Sequence, residues 1–209
     1  MGGTQIYLDW APKAFFLAVL AVMALKYILR SRNAQEEITY PWLRLTFFRL
    51  TVALLVWRIL FAVSQMYLQY LTWSAEGNIL GQRLLPPYQS WNYFLRFSLG
   101  RFWLNILIAF AAALIFYIFL RVLKEWTPRF FETEEPELGF SAAFLSGWPG
   151  FAIFFPLVFI FIIVVSISRL LIWRQAYTTL GGAFILAVLV QVFWGEKFIQ
   201  LFKLFVLRI

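Results

Sequence analysis

Residues able to do chemistry are few in this chain of 209 residues. It has no Cys and no His, and its only Asp is Asp9. Disulfides, thiol nucleophiles, Cys/His metal sites, Ser-His-Asp triads and paired aspartates are therefore excluded. One cation within an apolar segment and one acidic run remain. Arg58 stands deep in an apolar segment. An ionisable group at membrane depth costs at least ~2.5 kcal/mol unless paired or snorkelled, which makes it a functional candidate by default. No acid lies in any apolar segment to pair with it, so the structural alternative has Arg58 facing a helix bundle and bonding carbonyls or Gln65. The acidic run, Phe131-Glu132-Thr133-Glu134-Glu135-Pro136-Glu137, places four Glu within six residues. Clustered carboxylates can bind a hard cation or do acid–base work. Acids preceding a helix, favoured by its N-terminal dipole, account for the run without any ligand, and its spacing matches no metal motif. Phosphate-binding G-x-G-x-x-G and Walker A loops are absent. No catalytic residue, cofactor site or metal site is assigned; the candidates are Arg58, Glu134, Glu135 and Glu137.

Membrane helices must position these residues. The chain is 63% hydrophobic and 13% charged, with a mean hydropathy of +0.79. A soluble domain is about 45–50% apolar and about 25% charged, so soluble and disordered classes are both excluded. Apolar segments fall at about 10–29, 43–70, 102–123, 137–147, 151–171 and 178–195. Backbone polar groups must be satisfied in lipid, and the period-2 alternation of a barrel is missing, so the fold class is all-α: a polytopic transmembrane bundle with five or six membrane segments, forming one domain. The uncharged stretch 138–168 is 31 residues long. As one helix it would measure about 46 Å, too long for the bilayer core. Ser146-Gly147-Trp148-Pro149-Gly150 divides it into a short or re-entrant arm and a long one. Gly181-Gly182 suits a close helix–helix contact. Residues 196–209 suit an interfacial amphipathic helix or a simple continuation of the last span.

Lys and Arg set an orientation. Lys26, Arg30, Arg32, Arg44 and Arg49 crowd the first connection, and Arg121, Lys124 and Arg129 the one after 102–120. Both belong in the cytoplasm of an inner-membrane protein whose N-terminus is outside. Residues 64–101 then lie outside, with Tyr88, Trp91, Tyr93, Phe94 and Phe97 as an aromatic belt. No removable signal peptide is expected. The net charge of +8 fits topology and anionic headgroups, and no basic stretch leaves the membrane far enough to hold nucleic acid. The partners implied are the bilayer and other membrane proteins, or a second copy of the chain.

The second half has a recognisable order of features. Leu138-Gly139-Phe140 opens the helix SAAFLSGWPG; FAIFFPLVFIFIIVVSISRLL follows, then Thr178-Thr179-Leu180-Gly181-Gly182-Ala183-Phe184, then ILAVLVQVFWGEKFI. Over residues 137–199 this resembles the C-terminal half of the type IV prepilin peptidases, membrane aspartyl proteases that cut and methylate pilin leaders. In that family G-x-G-D opens a helix ending in a Gly-Trp turn, a long apolar helix and a P-F-G-P-F loop follow, and the last span ends near Gly-Glu. Ile38-Thr39-Tyr40-Pro41-Trp42-Leu43 also resembles the family's I-S-x-x-Y-P-L start of its second helix. The departures bear on chemistry. The family's G-x-G-D aspartate falls at Phe140, and its second catalytic aspartate has no counterpart. Its zinc-binding Cys cluster would fall in LRSRNAQEEI, and both prolines of its loop are missing. Such a protease needs two carboxylates sharing a proton and a water.

Three readings of function follow. The first is a non-catalytic relative of the prepilin peptidases, a scaffold or partner in a pilus or secretion assembly. The second is a divergent membrane peptidase or hydrolase, which needs two of Glu134, Glu135 and Glu137 to converge on a cleft. The third is a small transporter or channel subunit, which needs a water-accessible cavity reaching Arg58.

Overall fold

Apolar runs this long, with their backbone groups paired internally, can only be helices in lipid, and helices are the only regular elements among the described residues. The structure is a computed structural model that describes residues 2–33, 41–127, 131, 134–173 and 180–207, without the side chains of 2–11, 29–33, 41–46, 172–173 and 205. Asp9, Arg30, Arg32, Arg44, Arg129, Glu132, residues 38–40 and Thr178-Thr179 therefore lie outside the described backbone or side chains. In order, the elements are α1 (Gly2–Asn33), α2 (Pro41–Ser74), α3 (Ile79–Gln82), α4 (Trp91–Ser98), α5 (Leu104–Trp126), α6 (Glu135–Ser146), α7 (Phe151–Trp173) and α8 (Gly181–Leu201). A π-helical stretch, Leu99–Trp103, joins α4 to α5, and a 3-10 turn, Leu204–Leu207, follows α8.

Four stretches are long and apolar enough to cross a membrane: Phe47–Ser74, Trp91–Trp126, Phe151–Leu171 and Gly181–Leu201. Helix α1 is a further long helix, with side chains described from Pro12 to Ile28. The chain is an all-helical integral membrane protein. The uncharged stretch 138–168 divides at Gly147–Gly150, between α6 and α7.

Helix α6 is the axis of the bundle. Ten of its twelve residues are buried, and it packs against α2, α5, α7 and α8. Around it Met23, Leu54, Ala113, Phe144, Phe154 and Phe184, one from each of six helices, reach 0% exposure. Phe116 of α5 receives the rings of Phe151, Phe154, Phe155 and Phe184 edge-on at 5.8 to 6.1 Å, a geometry worth about 0.5–1.5 kcal/mol per pair beyond burial. Two small residues permit this density. A Cβ on Gly139 would run into Leu120 and crowd Phe184, and one on Gly181 would run into the Tyr27 ring of α1. Gly181 thus makes the close helix contact anticipated for the pair.

Two features depart from the sequence reading. Helix α2 runs to Ser74, past the expected end near 70. The stretch expected to lie outside as an aromatic belt is helical in α3, where Asn78 caps the start by accepting from Gly81 N, and in α4, whose aromatic residues have a surface to cover. Trp73, Leu85 and Phe94 form a second small core, with Tyr70 stacked on Trp91 at 5.8 Å and Trp73 against Phe97 at 4.9 Å. Phe94 is buried there, whereas Tyr88 and Tyr93 stay exposed. For residues 196–209 the structure selects the second of the two alternatives as far as Leu201: α8 runs unbroken through Glu196 and Lys197. No breaker precedes Phe202, and the 3-10 turn folds back until Leu207 O accepts from Trp148 Nε1 at 2.8 Å.

The packing at Gly139 is directly testable. Gly139→Val should destabilise the bundle by about 1–3 kcal/mol through overpacking, lowering the midpoint of thermal unfolding in detergent. Gly100→Ala, with nothing within 4 Å of the added carbon, should not lower it. Equal midpoints for the two variants would show that α5 and α6 do not approach this closely.

Candidate functional site

A helix that stops inside a bundle leaves its last carbonyls without intrahelical partners. Helix α6 does so at Ser146. Arg58, from the middle of α2, answers that need: its Nη2 donates to Phe144 O at 3.0 Å and to Leu145 O at 3.3 Å. Gln191 of α8 donates through Nε2 to Ser146 O at 3.3 Å. A cation at a helix C-terminus is also favoured by the macrodipole. The guanidinium carbon lies 5.2 Å from the Phe16 ring centroid and 5.0 Å from that of Phe144, close enough for cation–π attraction. Among the described residues no carboxylate pairs with Arg58. Of the two partners expected from sequence, the carbonyls hold it, and Gln65 lines the space beside it. The chain leaves α6 through Gly147, at φ 66° and ψ 180°, a conformation essentially restricted to glycine. A Cβ there would also sit 2.6 Å from Arg58 Nη2.

The other end of α6 carries the acidic candidates. Glu134 and Glu135 are buried, at 4% and 2% exposure. Glu135 Oε1 accepts from Gly181 N at 2.8 Å. That amide belongs to the first turn of α8, whose N-cap residue Leu180 has no capping side chain. Glu135 thus supplies from a neighbouring helix the acceptor and negative charge that the start of α8 lacks. Glu137 is half-buried, and its Oε2 is enclosed without a hydrogen-bond partner among the described residues. No group of three or more acidic residues is placed to hold a metal among the described residues. Midway along α6, Ser141 Oγ lies 2.7 Å from Thr51 Oγ1 and ties the helix to α2.

A cavity of about 610 Å³ opens beside the C-terminus of α6. Its walls come from α1 (Lys13, Phe16), α2 (Trp57, Arg58, Gln65), the π-helical stretch and α5 (Arg101, Asn105), the α6–α7 turn (Ser146, Trp148) and α8 (Gln191, Glu196). Lys13, Arg101 and Glu196 are exposed. One turn farther along four helices, Leu20, Leu54, Ala142 and Val188 are buried at 0 to 4% exposure. The cavity reaches Arg58. Arg58 and the three Glu candidates occupy opposite ends of α6 and are not brought together. The sequence reading missed Gln191, Asn105, Trp57 and Arg101 as members of this site. Gln191 and Asn105 carried a signal, since each is a polar amide inside an otherwise uncharged span.

The two helix ends should matter separately. Arg58→Met, which strands Leu145 O and leaves Phe144 O to Gly147 N alone, and Glu135→Ala, which strands Gly181 N–H, should each cost about 1–3 kcal/mol. Arg58→Lys should recover only part of the loss, since an ammonium cannot reproduce the planar fork. Thermal unfolding in detergent measures all three, and an Arg58→Met midpoint equal to that of the parent would contradict the capping role.

No protein-family model matches the chain, and neither does any curated protein or solved structure.

Proposed function

We propose that the chain is a non-catalytic, multi-pass inner-membrane protein, N-terminus outside, that is kin to the type IV prepilin peptidases and serves as a scaffold or partner subunit in a membrane assembly such as a pilus or secretion system. The observation that carries this reading is the setting of Phe140. Where the resemblance puts a catalytic aspartate, the Phe140 ring packs at 6.1 Å from Phe110 and 5.6 Å from Tyr117. A carboxylate pair has to share a proton and hold a water, and rings at this spacing leave a hydrocarbon surface in its place. The order of a short helix, a Gly-Trp-Pro-Gly break, a long apolar helix and a last span running through Gly195-Glu196 supports the kinship.

The alternatives are less well supported. A hydrolase built on Glu134, Glu135 and Glu137 requires two of these carboxylates to face one water, and Glu135 is turned to the start of α8. A transporter or channel built on Arg58 gains a cavity that reaches the guanidinium, but the buried layer beneath it favours binding over conduction.

Purified in mild detergent, the protein should bring stoichiometric membrane partners with it and leave a prepilin leader peptide uncut. Elution without partners, or leader cleavage that disappears in Glu134→Gln or Glu137→Gln, would overturn the proposal. The orientation has its own check, because the chain lacks cysteine. Glu76→Cys should react with a membrane-impermeant maleimide on intact cells, and Thr127→Cys only after permeabilisation; the reverse pattern would invert the topology.

A further inference from the structure

We infer that the cavity beside Arg58 is a binding site for an anionic phosphate group, supplied by a phospholipid headgroup or by free phosphate. The inference is independent of the kinship to peptidases. Its first support is charge. The cavity is lined by three cations, Lys13, Arg58 and Arg101, against one carboxylate, Glu196. Arg58 is the innermost of these, and its positive charge is met by carbonyl oxygens and ring faces rather than by an acid. A cation held in a low-dielectric interior gains most from a counter-ion.

The second support is the kind of polar group left unanswered. Trp57 Nε1 and Arg58 Nε are both enclosed, and neither has a hydrogen-bond partner among the described residues. They belong to adjacent residues of α2 that line the same cavity. Both are donors that cannot accept, so what answers them is an acceptor, and an arginine fork beside such donors suits phosphate oxygens. Buried donors are normally paired, and an orphan calls for a physical reason.

The third support is shape. About 610 Å³ falls within the ~300–1,000 Å³ range of small-molecule sites. Leu54 and Val188, one turn beyond Arg58 and Gln191 on their helices, are fully buried, while Arg101 is exposed. The wall is also pre-formed, because Arg58 is held by α6 and Trp57 stacks on Phe15 at 4.4 Å.

Native mass spectrometry of the full-length protein in detergent tests this, with phosphatidylglycerol and phosphatidylcholine as competing probes and inorganic phosphate as a separate arm. Phosphatidylglycerol should be retained at one per chain and phosphatidylcholine should not. Two variants spare the helix cap. Trp57→Phe keeps the stacked ring and deletes the N–H, and Arg101→Gln removes an exposed charge. Each should weaken binding roughly tenfold, the equivalent of one charge-assisted hydrogen bond, while the ligand-free unfolding midpoint stays at the parent value. Stabilisation by phosphatidylglycerol alone assigns the group to a lipid headgroup; equal stabilisation by inorganic phosphate assigns it to the free ion. Retention of phosphatidylcholine as firmly as phosphatidylglycerol, parental affinity in both variants, or binding of neither anionic probe would overturn the inference.

Discussion

A backbone that ends a helix inside a membrane protein has to find hydrogen-bond partners without help from bulk water. Helix α6 ends this way, and the rest of the bundle is arranged around that demand. Arg58 must stand in mid-helix on α2 and Gln191 midway along α8, because only there do they meet the carbonyls of Phe144, Leu145 and Ser146. Gly147 must lack a side chain, because the guanidinium occupies the space a Cβ would take. Polar side chains gathered at one depth do not pack as densely as the aromatic core below them, so the cavity is a consequence of capping α6 as much as a feature added to it.

The same demand is met with the opposite sign at the other end of α6. Helix α8 begins at a buried glycine with no capping side chain of its own, and Glu135 closes it from the first turn of α6. A negative group at the N-terminal end of α6 and a positive one at its C-terminal end both lie along the favourable direction of its dipole. The two charges are about ten residues of α6 apart, or roughly 15 Å at 1.5 Å per residue, so each is stabilised by its own helix end and not by the other. The acidic run is thereby explained at Glu135 by helix capping, a role that asks nothing of the other carboxylates.

These arrangements were legible in the sequence to different depths. Arg58 in an acid-free apolar segment, with carbonyls as the available partners, could be read directly, because the cost of an unpaired charge leaves few alternatives. The break at Ser146-Gly147-Trp148-Pro149-Gly150 could be read from length and turn chemistry alone. The position of α6 as the bundle's axis could not. An apolar helix buried in protein and one facing lipid have the same composition, and only the neighbours distinguish them. Glu135 and Gly181 are 46 residues apart, and no local spacing predicts that contact. Helix α4 was hidden for a related reason: its aromatic residues suit a headgroup belt equally well, and it is the meeting of Tyr70 and Trp73 with Trp91, Phe94 and Phe97 that selects helix.

Arginine is the only side chain that can serve both surfaces it touches. A guanidinium carries five donors in a rigid plane, and the bonds to α6 use only Nη2. Lysine could place a charge at the helix end, but its three donors radiate from one atom, and pulling them toward the carbonyls would withdraw the charge from the cavity. Glutamine could satisfy the carbonyls, as Gln191 does for Ser146, but it would bring no charge. The planar fork lets one edge close α6 while the Nε edge remains enclosed and unsatisfied. A residue needed only to cap a helix would not require that second edge, and its retention at the wall of a cation-lined cavity is the structural reason to regard Arg58 as more than a cap.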